Sequence, residues 1–146
     1  MQYIYSLIID SQNEYSYVFE DDINVNEEII LDEIIQYEKI SEMFFYLGMC
    51  EYNKTNIKNT GIKIKNHIVY KKDGFCRGLH AIGLSKKGAD TLLNFSSKIQ
   101  ERYMDVILEK FSEIYPANIV RYDLESYING HRGVLYQDRK RFPSQI

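Results

Sequence analysis

The chain has 146 residues, with 45% hydrophobic and 27% charged side chains and a formal net charge of −3. That is one ordinary domain's worth of sequence, and it excludes collagen-like, low-complexity and disordered classes. A chain this long can bury about two-thirds of its unfolded surface, so a sizeable core is expected. The longest apolar runs are far below the roughly 20 residues that cross a bilayer. The first twenty residues show no basic segment followed by an apolar stretch, so neither a signal peptide nor a transmembrane segment is expected. Cys50 and Cys76 lack disulfide-framework or metal-type spacing, which makes a reducing, cytoplasmic compartment the expected location.

The charge is unevenly spread. Residues 1–66 carry 12 acids and 5 bases, whereas residues 67–146 carry 9 acids and 13 bases. A net acidic chain is a poor general nucleic-acid binder, because phosphate neutralisation dominates that affinity. The division is consistent with an acidic edge facing a basic one, or with ordinary surface scatter.

In chain order, Ile4, Leu7 and Ile8 have helical spacing and predict a helix over 2–12. Tyr15 to Phe19 reads as a strand, and it runs directly into Glu20-Asp21-Asp22. Residues 27–39 predict a helix, opened by two glutamates that suit its N-terminus. Met43 to Leu47 predicts a strand that ends at Gly48. Residues 50–65 are polar and read as a surface loop. His67 to Tyr70 and Leu79 to Leu84 are strand candidates. Ser85 has the chemistry of an N-cap for the helix that carries Ala89, Leu92, Leu93 and Phe95. Residues 100–114 predict another helix, stopped by Pro116, and Ile119-Val120 begins a short extended piece. From Asn129 the chain is polar, and 129–146 forms a basic C-terminal tail. Alternating strands and helices predict one α/β domain over 1–146, with a mixed, mostly parallel sheet flanked by helices.

The acidic triplet is the sharpest local feature. Three adjacent carboxylates after a strand repel one another, and a hard divalent cation such as Mn²⁺ or Mg²⁺ relieves that repulsion. Glu20 and Asp22, at alternate positions, form the candidate ligand pair, while Asp21 contacts a sugar or faces solvent. A solvated acidic turn leading into the next helix is the alternative.

A strand, Glu-Asp-Asp and then Ile23 resembles the metal-binding element of nucleotide-sugar glycosyltransferases with the GT-A fold. Gly78 to Ala89, followed by Leu92-Leu93, resembles a Ser-x-x-Gly-Ala-x-x-Leu-Leu block. Met104-Asp105 and Tyr115-Pro116 through Val120 resemble the elements that follow it. Together, over residues 15–128, the chain is similar to glycosyltransferase family 25, which includes lipopolysaccharide glycosyltransferases and collagen galactosyltransferases.

The resemblance implies transfer of a hexose from a nucleotide sugar, such as a UDP-hexose, to a glycan or glycoprotein acceptor. Glu20 and Asp22 would hold the metal against the diphosphate, with His131 as a late additional ligand. Asp21 and Arg132 would contact the donor. Arg139, Lys140 and Arg141 could add positive charge there. Asp105 would accept the acceptor's proton in an inverting mechanism, and Arg77 and Ser85 could line the acceptor cleft. His80 reads as a packed strand residue, and His67 has no functional role. In the family, nucleotide-binding strands precede the triplet, but here 19 residues precede Glu20, enough for one helix and one strand. The resemblance therefore implies an N-terminally truncated domain whose exposed sheet edge is covered by a homo-oligomer or a partner chain. A non-catalytic module of the same ancestry and a metal-dependent phosphoesterase or nuclease are the competing readings.

Overall fold

The computed structural model describes residues 2–25, 31–48, 51–52, 57–65, 67–72, 76–77, 81–101, 103–119 and 135–137. Helix α1 (Gln2–Asp10) precedes strands β1 (Tyr15–Phe19) and β2 (Ile23–Val25). Helix α2 (Leu31–Ile40) leads to β3 (Phe44–Gly48), β4 (Glu51–Tyr52), β5 (Ile57–Ile64), β6 (His67–Lys72) and β7 (Cys76–Arg77). Strand β8 (Ala81–Ser85) then runs into α3 (Lys86–Ser97), followed by α4 (Met104–Ile114), β9 (Asn118–Ile119) and β10 (Leu135–Gln137).

Six strands form the main sheet in the order β1-β8-β3-β9-β6-β5, while β10-β2 and β4-β7 form two small pairs. The mixed α/β class agrees with the sequence, but the expectation of a mostly parallel sheet is corrected. Among the described pairs only β3–β9 is parallel; β1–β8, β3–β8, β6–β9, β5–β6, β2–β10 and β4–β7 are antiparallel. The reason is intercalation. β1, β3 and β9 do run in one direction, with helices between them, as crossover units require. However, β8 enters between β1 and β3 in the opposite sense, and β6 closes against β9 in the opposite sense.

The polar loop expected over 50–65 is also corrected. β4 and β5 occupy part of it, and β5 pairs with β6 from Ile57↔Lys72 to Ile64↔His67. Gly61, at φ 75°, lies in the irregularity between Asn59 and Lys63, where extra residues leave the ladder. Asn and Gly there signal a bulge within a strand, not its absence.

Two cores sandwich the sheet. On one face, Phe44, Tyr46, Ile82 and Leu84 pack against Tyr5 and Ile8 of α1, Ala89 and Leu92 of α3, and Ile107, Leu108 and Phe111 of α4. On the other, Phe45, Leu47 and Ala81 meet Ile34 and Tyr37 of α2, together with Ile64 and Val69. β8 is buried along its whole length, which accounts for its nearly unbroken apolar run.

The β8–α3 junction is locked by three residues. The Ser85 hydroxyl accepts from the Gly88 N–H at 2.9 Å and donates to the Glu42 carbonyl at 2.8 Å, so it caps α3 and ties it to the turn before β3. Gly88 sits so close to the Met43 carbonyl that a Cβ would fall well inside van der Waals contact. Ala89 is buried. The Ser-x-x-Gly-Ala pattern is thus a packing device for a strand-to-helix turn.

Tyrosines carry part of the second core. Tyr15 donates to the Ser41 carbonyl and Tyr17 to the Glu38 carboxylate. Burial first, and then the Glu38 charge, holds both phenols well above their ordinary value near 10; burial alone does so for Tyr5. A phenol whose pKa rises on folding favours the folded state in its neutral form. Its contribution is complete below about pH 10 and is lost as pH climbs toward the folded value. Stability should therefore be insensitive to these groups at neutral pH and fall above about pH 10. Ultraviolet titration should show a group of tyrosines ionising only as the fold is lost. In the Tyr15→Phe/Tyr17→Phe variant, the alkaline loss should be smaller.

Candidate functional site

The acidic triplet occupies the short connection between β1 and β2. Glu20 and Asp22 are half-buried, whereas Asp21, between them, is exposed. This alternation matches the expected division between an inward pair and an outward residue. Asp22 Oδ1 is shielded from solvent and has no hydrogen-bond partner among the described residues. Leaving such an oxygen unsatisfied costs about 1–3 kcal/mol, more for a charged group, so it requires a compensating cation or donor.

Two other elements reach this end of the sheet. β2, immediately after the triplet, pairs with β10 in the register Ile23↔Gln137, Asn24↔Tyr136 and Val25↔Leu135. The chain segment that contains the basic tail is therefore anchored beside the triplet's own element. His131 and Arg132 themselves lie outside the described residues, as do His80, Arg139, Lys140 and Arg141.

Asp105 stands in the first turn of α4, where its Oδ1 accepts from the Val106 N–H at 2.9 Å. α4 feeds β9, and β9 is parallel to β3, whose start lies beside the far end of β8 from the triplet. A helix that returns to begin such a strand has its own N-terminus at the opposite end. The topology accordingly brings Asp105 to the same end of the sheet as Glu20–Asp22. β1 and β3 flank β8, so the triplet's strand and the strand beside β9 are about 10 Å apart. Among the described residues, no three His, Cys, Asp or Glu side chains converge in a way that could hold a metal ion. Glu20 and Asp22 would contribute two ligands of a larger set.

Ser85 does not belong to this site. The register sets Phe19 opposite Ala81 but Tyr15 opposite Ser85, which puts Ser85 about 13 Å along β8 from the triplet end. Its hydroxyl is also fully engaged as the α3 cap. The expectation that Ser85 lines an acceptor cleft is corrected: a serine before a helix has the same chemistry whether it caps or binds. Arg77 lies in β7, paired with β4.

Sequence reasoning missed a second concavity. A cleft of about 270 Å³ opens where β3 and β9 begin, lined by Ser41, Glu42, Lys71, Tyr115, Pro116 and Asn118. Asn118 Nδ2 donates to Ser41 Oγ at 2.7 Å and to the Ile40 carbonyl at 3.3 Å, which fixes its floor. Its lining comes from segments far apart in sequence, so no local pattern signals it. It lies at the opposite end of the sheet from the triplet.

No protein-family model matches this chain, and no curated protein matches it significantly. Among the described residues, no helix is long and apolar enough to cross a membrane.

Proposed function

We propose that this chain is a glycosyltransferase-like domain that handles a nucleotide-sugar donor and a glycan or glycoprotein acceptor with the help of Mn²⁺ or Mg²⁺. The observation that carries this reading is the shielded Asp22 Oδ1, without a described partner, next to Glu20 at the end of a sheet strand. A carboxylate oxygen held in that state suits a hard cation that shares its shell with phosphate oxygens. The order of motifs along the chain, from the triplet through the Ser85–Ala89 block to Met104-Asp105, gives the donor and acceptor chemistry. The approach of β10 to β2 supports a contribution from the basic C-terminal segment.

In this reading, Glu20 and Asp22 hold the metal, with His131 as a further ligand. When bound, the metal supplies Lewis-acid stabilisation to a leaving diphosphate. Asp21 and Arg132 orient the donor. Asp105 accepts the proton of the acceptor hydroxyl as the sugar is transferred. The α/β arrangement itself adds only that ligands gather beyond strand ends.

Titration calorimetry with uridine diphosphate in the presence and absence of Mn²⁺ tests the reading. Wild type should bind only with Mn²⁺, and Asp22→Ala should bind at least about tenfold more weakly, a loss of about 1.4 kcal/mol. Metal-independent binding, or no binding by folded wild type, would sink it. Release of uridine diphosphate from UDP-hexose donors, abolished in Asp105→Asn, would then establish turnover.

A further inference from the structure

α1 is apolar around most of its circumference. Tyr5 and Ile8 are buried, and Ile9 packs beside them. Tyr3, Ile4 and Leu7 fill the adjoining arc and are exposed, Tyr3 by 73% and Leu7 by 51%. A surface helix normally carries one apolar stripe, and one that is apolar on two sides is normally covered on both. α1 packs on α3, and α3 packs on β8 and α4. α1 is therefore the outermost helix of its layer, on the side of β1.

β1 is itself the outermost strand. Its edge, Tyr15 to Phe19, has no lysine, no proline and no bulge, and Phe19 is 49% exposed. The other edge of the same sheet is guarded. β5 carries Lys58 and Lys63 and is broken by the irregularity at Gly61, both established ways of blocking strand addition. One edge is closed to pairing, and the other stands open beside an uncovered apolar helix face.

The charges identify the occupant. Exposed Glu14 precedes β1 and exposed Asp21 follows it. Two copies joined antiparallel through β1 about Tyr17 would set the Glu14 end of one against the Glu20 end of the other, at both ends. Like charges opposed across strands destabilise pairing. Joining β1 to the β5 edge of a second copy meets the bulge. We propose that the free edge of β1 and the outer face of α1 form a docking site for an extended strand of a different polypeptide, with alternating apolar side chains and a lysine or arginine at each end. Backbone hydrogen bonds to β1 supply affinity, and alternate side chains supply selectivity. Those on the α1 side of the added strand cover Ile4 and Leu7, and the basic ends meet Glu14 and Asp21. This inference is independent of the metal and sugar chemistry.

Two labelled synthetic peptides test it, each alternating valine and threonine, one ended by lysines and the other by glutamates. By fluorescence anisotropy, the lysine-ended peptide should bind about tenfold more tightly. It should also slow amide hydrogen exchange within Tyr15–Phe19. Glu14→Lys, a change at an exposed side chain, should narrow that preference, and Leu7→Gln should weaken both peptides alike. Equal affinity for the two peptides, no binding, or unchanged exchange in β1 would overturn the proposal. So would a stable dimer by light scattering whose β1 amides are already protected without peptide.

Discussion

Gly88→Ala is expected to destabilise the protein by about 3 kcal/mol or more, although it adds a single methyl group in a helix and alanine is the better helix former. The methyl group would be driven into the Met43 carbonyl, which is backbone and cannot rotate away. That carbonyl also accepts the Ser85 N–H at 2.8 Å, at the point where β8 leaves the sheet. Relief requires α3 to lift from the turn at Glu42–Met43, and lifting breaks the Ser85 cap and opens the core around Ala89 and Leu92. The midpoint of thermal unfolding should drop by roughly 10 °C. Gly83→Ala makes a useful comparison. There a Cβ meets the Phe45 ring at 2.6 Å, and a ring can shift where a carbonyl cannot, so the loss should be smaller. If Gly88→Ala unfolds at the wild-type temperature, the close approach of α3 to Met43 is wrong.

Phe111→Ala should cost about 4 kcal/mol, a large fraction of the 5–15 kcal/mol that holds a typical domain together. Phe111 is fully buried, with ring centroids 5.4 Å from Phe44, 5.5 Å from Phe95 and 4.8 Å from Tyr115. It therefore joins the sheet, α3 and the end of α4 at one point. Urea unfolding should show the midpoint lowered with an unchanged slope, the sign of lost stability with the same surface exposed. Phe111→Leu should retain most of the loss. Because Phe111 fixes α4 to the sheet, the alanine variant should also loosen the first turn that carries Asp105.

The local elements were legible because they rest on local rules. Tyr15–Phe19 is a β-branched and aromatic run, Ser85 precedes an apolar-periodic segment, and Pro116 follows one; each signal is complete within a few residues. Strand direction was not legible. It depends on which strands become neighbours, and β8 joins β1 and β3 from some sixty and thirty residues away, respectively. β5 was hidden because Asn59 and Gly61 look like loop residues until β6 supplies a partner. At the candidate site, the inward–outward alternation of Glu20, Asp21 and Asp22 could be read from a period of two. The buried carboxylate of Glu33 and the pairing of Tyr17 with Glu38 could not, because they depend on where α2 lies across the sheet. Ser85 shows the converse error: a residue with binding chemistry was occupied in holding a helix.

The position of β8 sets the order in which this protein can be assembled. β1 and β3 leave the ribosome first, yet neither has its lateral neighbour until residues 81–85 exist. A nascent chain of eighty residues consequently has no main-sheet nucleus around β1, only two separated strands with their tyrosines and phenylalanines uncovered. Arrival of β8 joins both at once and brings α3 onto the sheet through Ser85 and Gly88. The transition should be correspondingly slow, since its decisive contacts are among the most distant in the sequence. It should also be all-or-none, with fragments ending before Ala81 remaining unfolded.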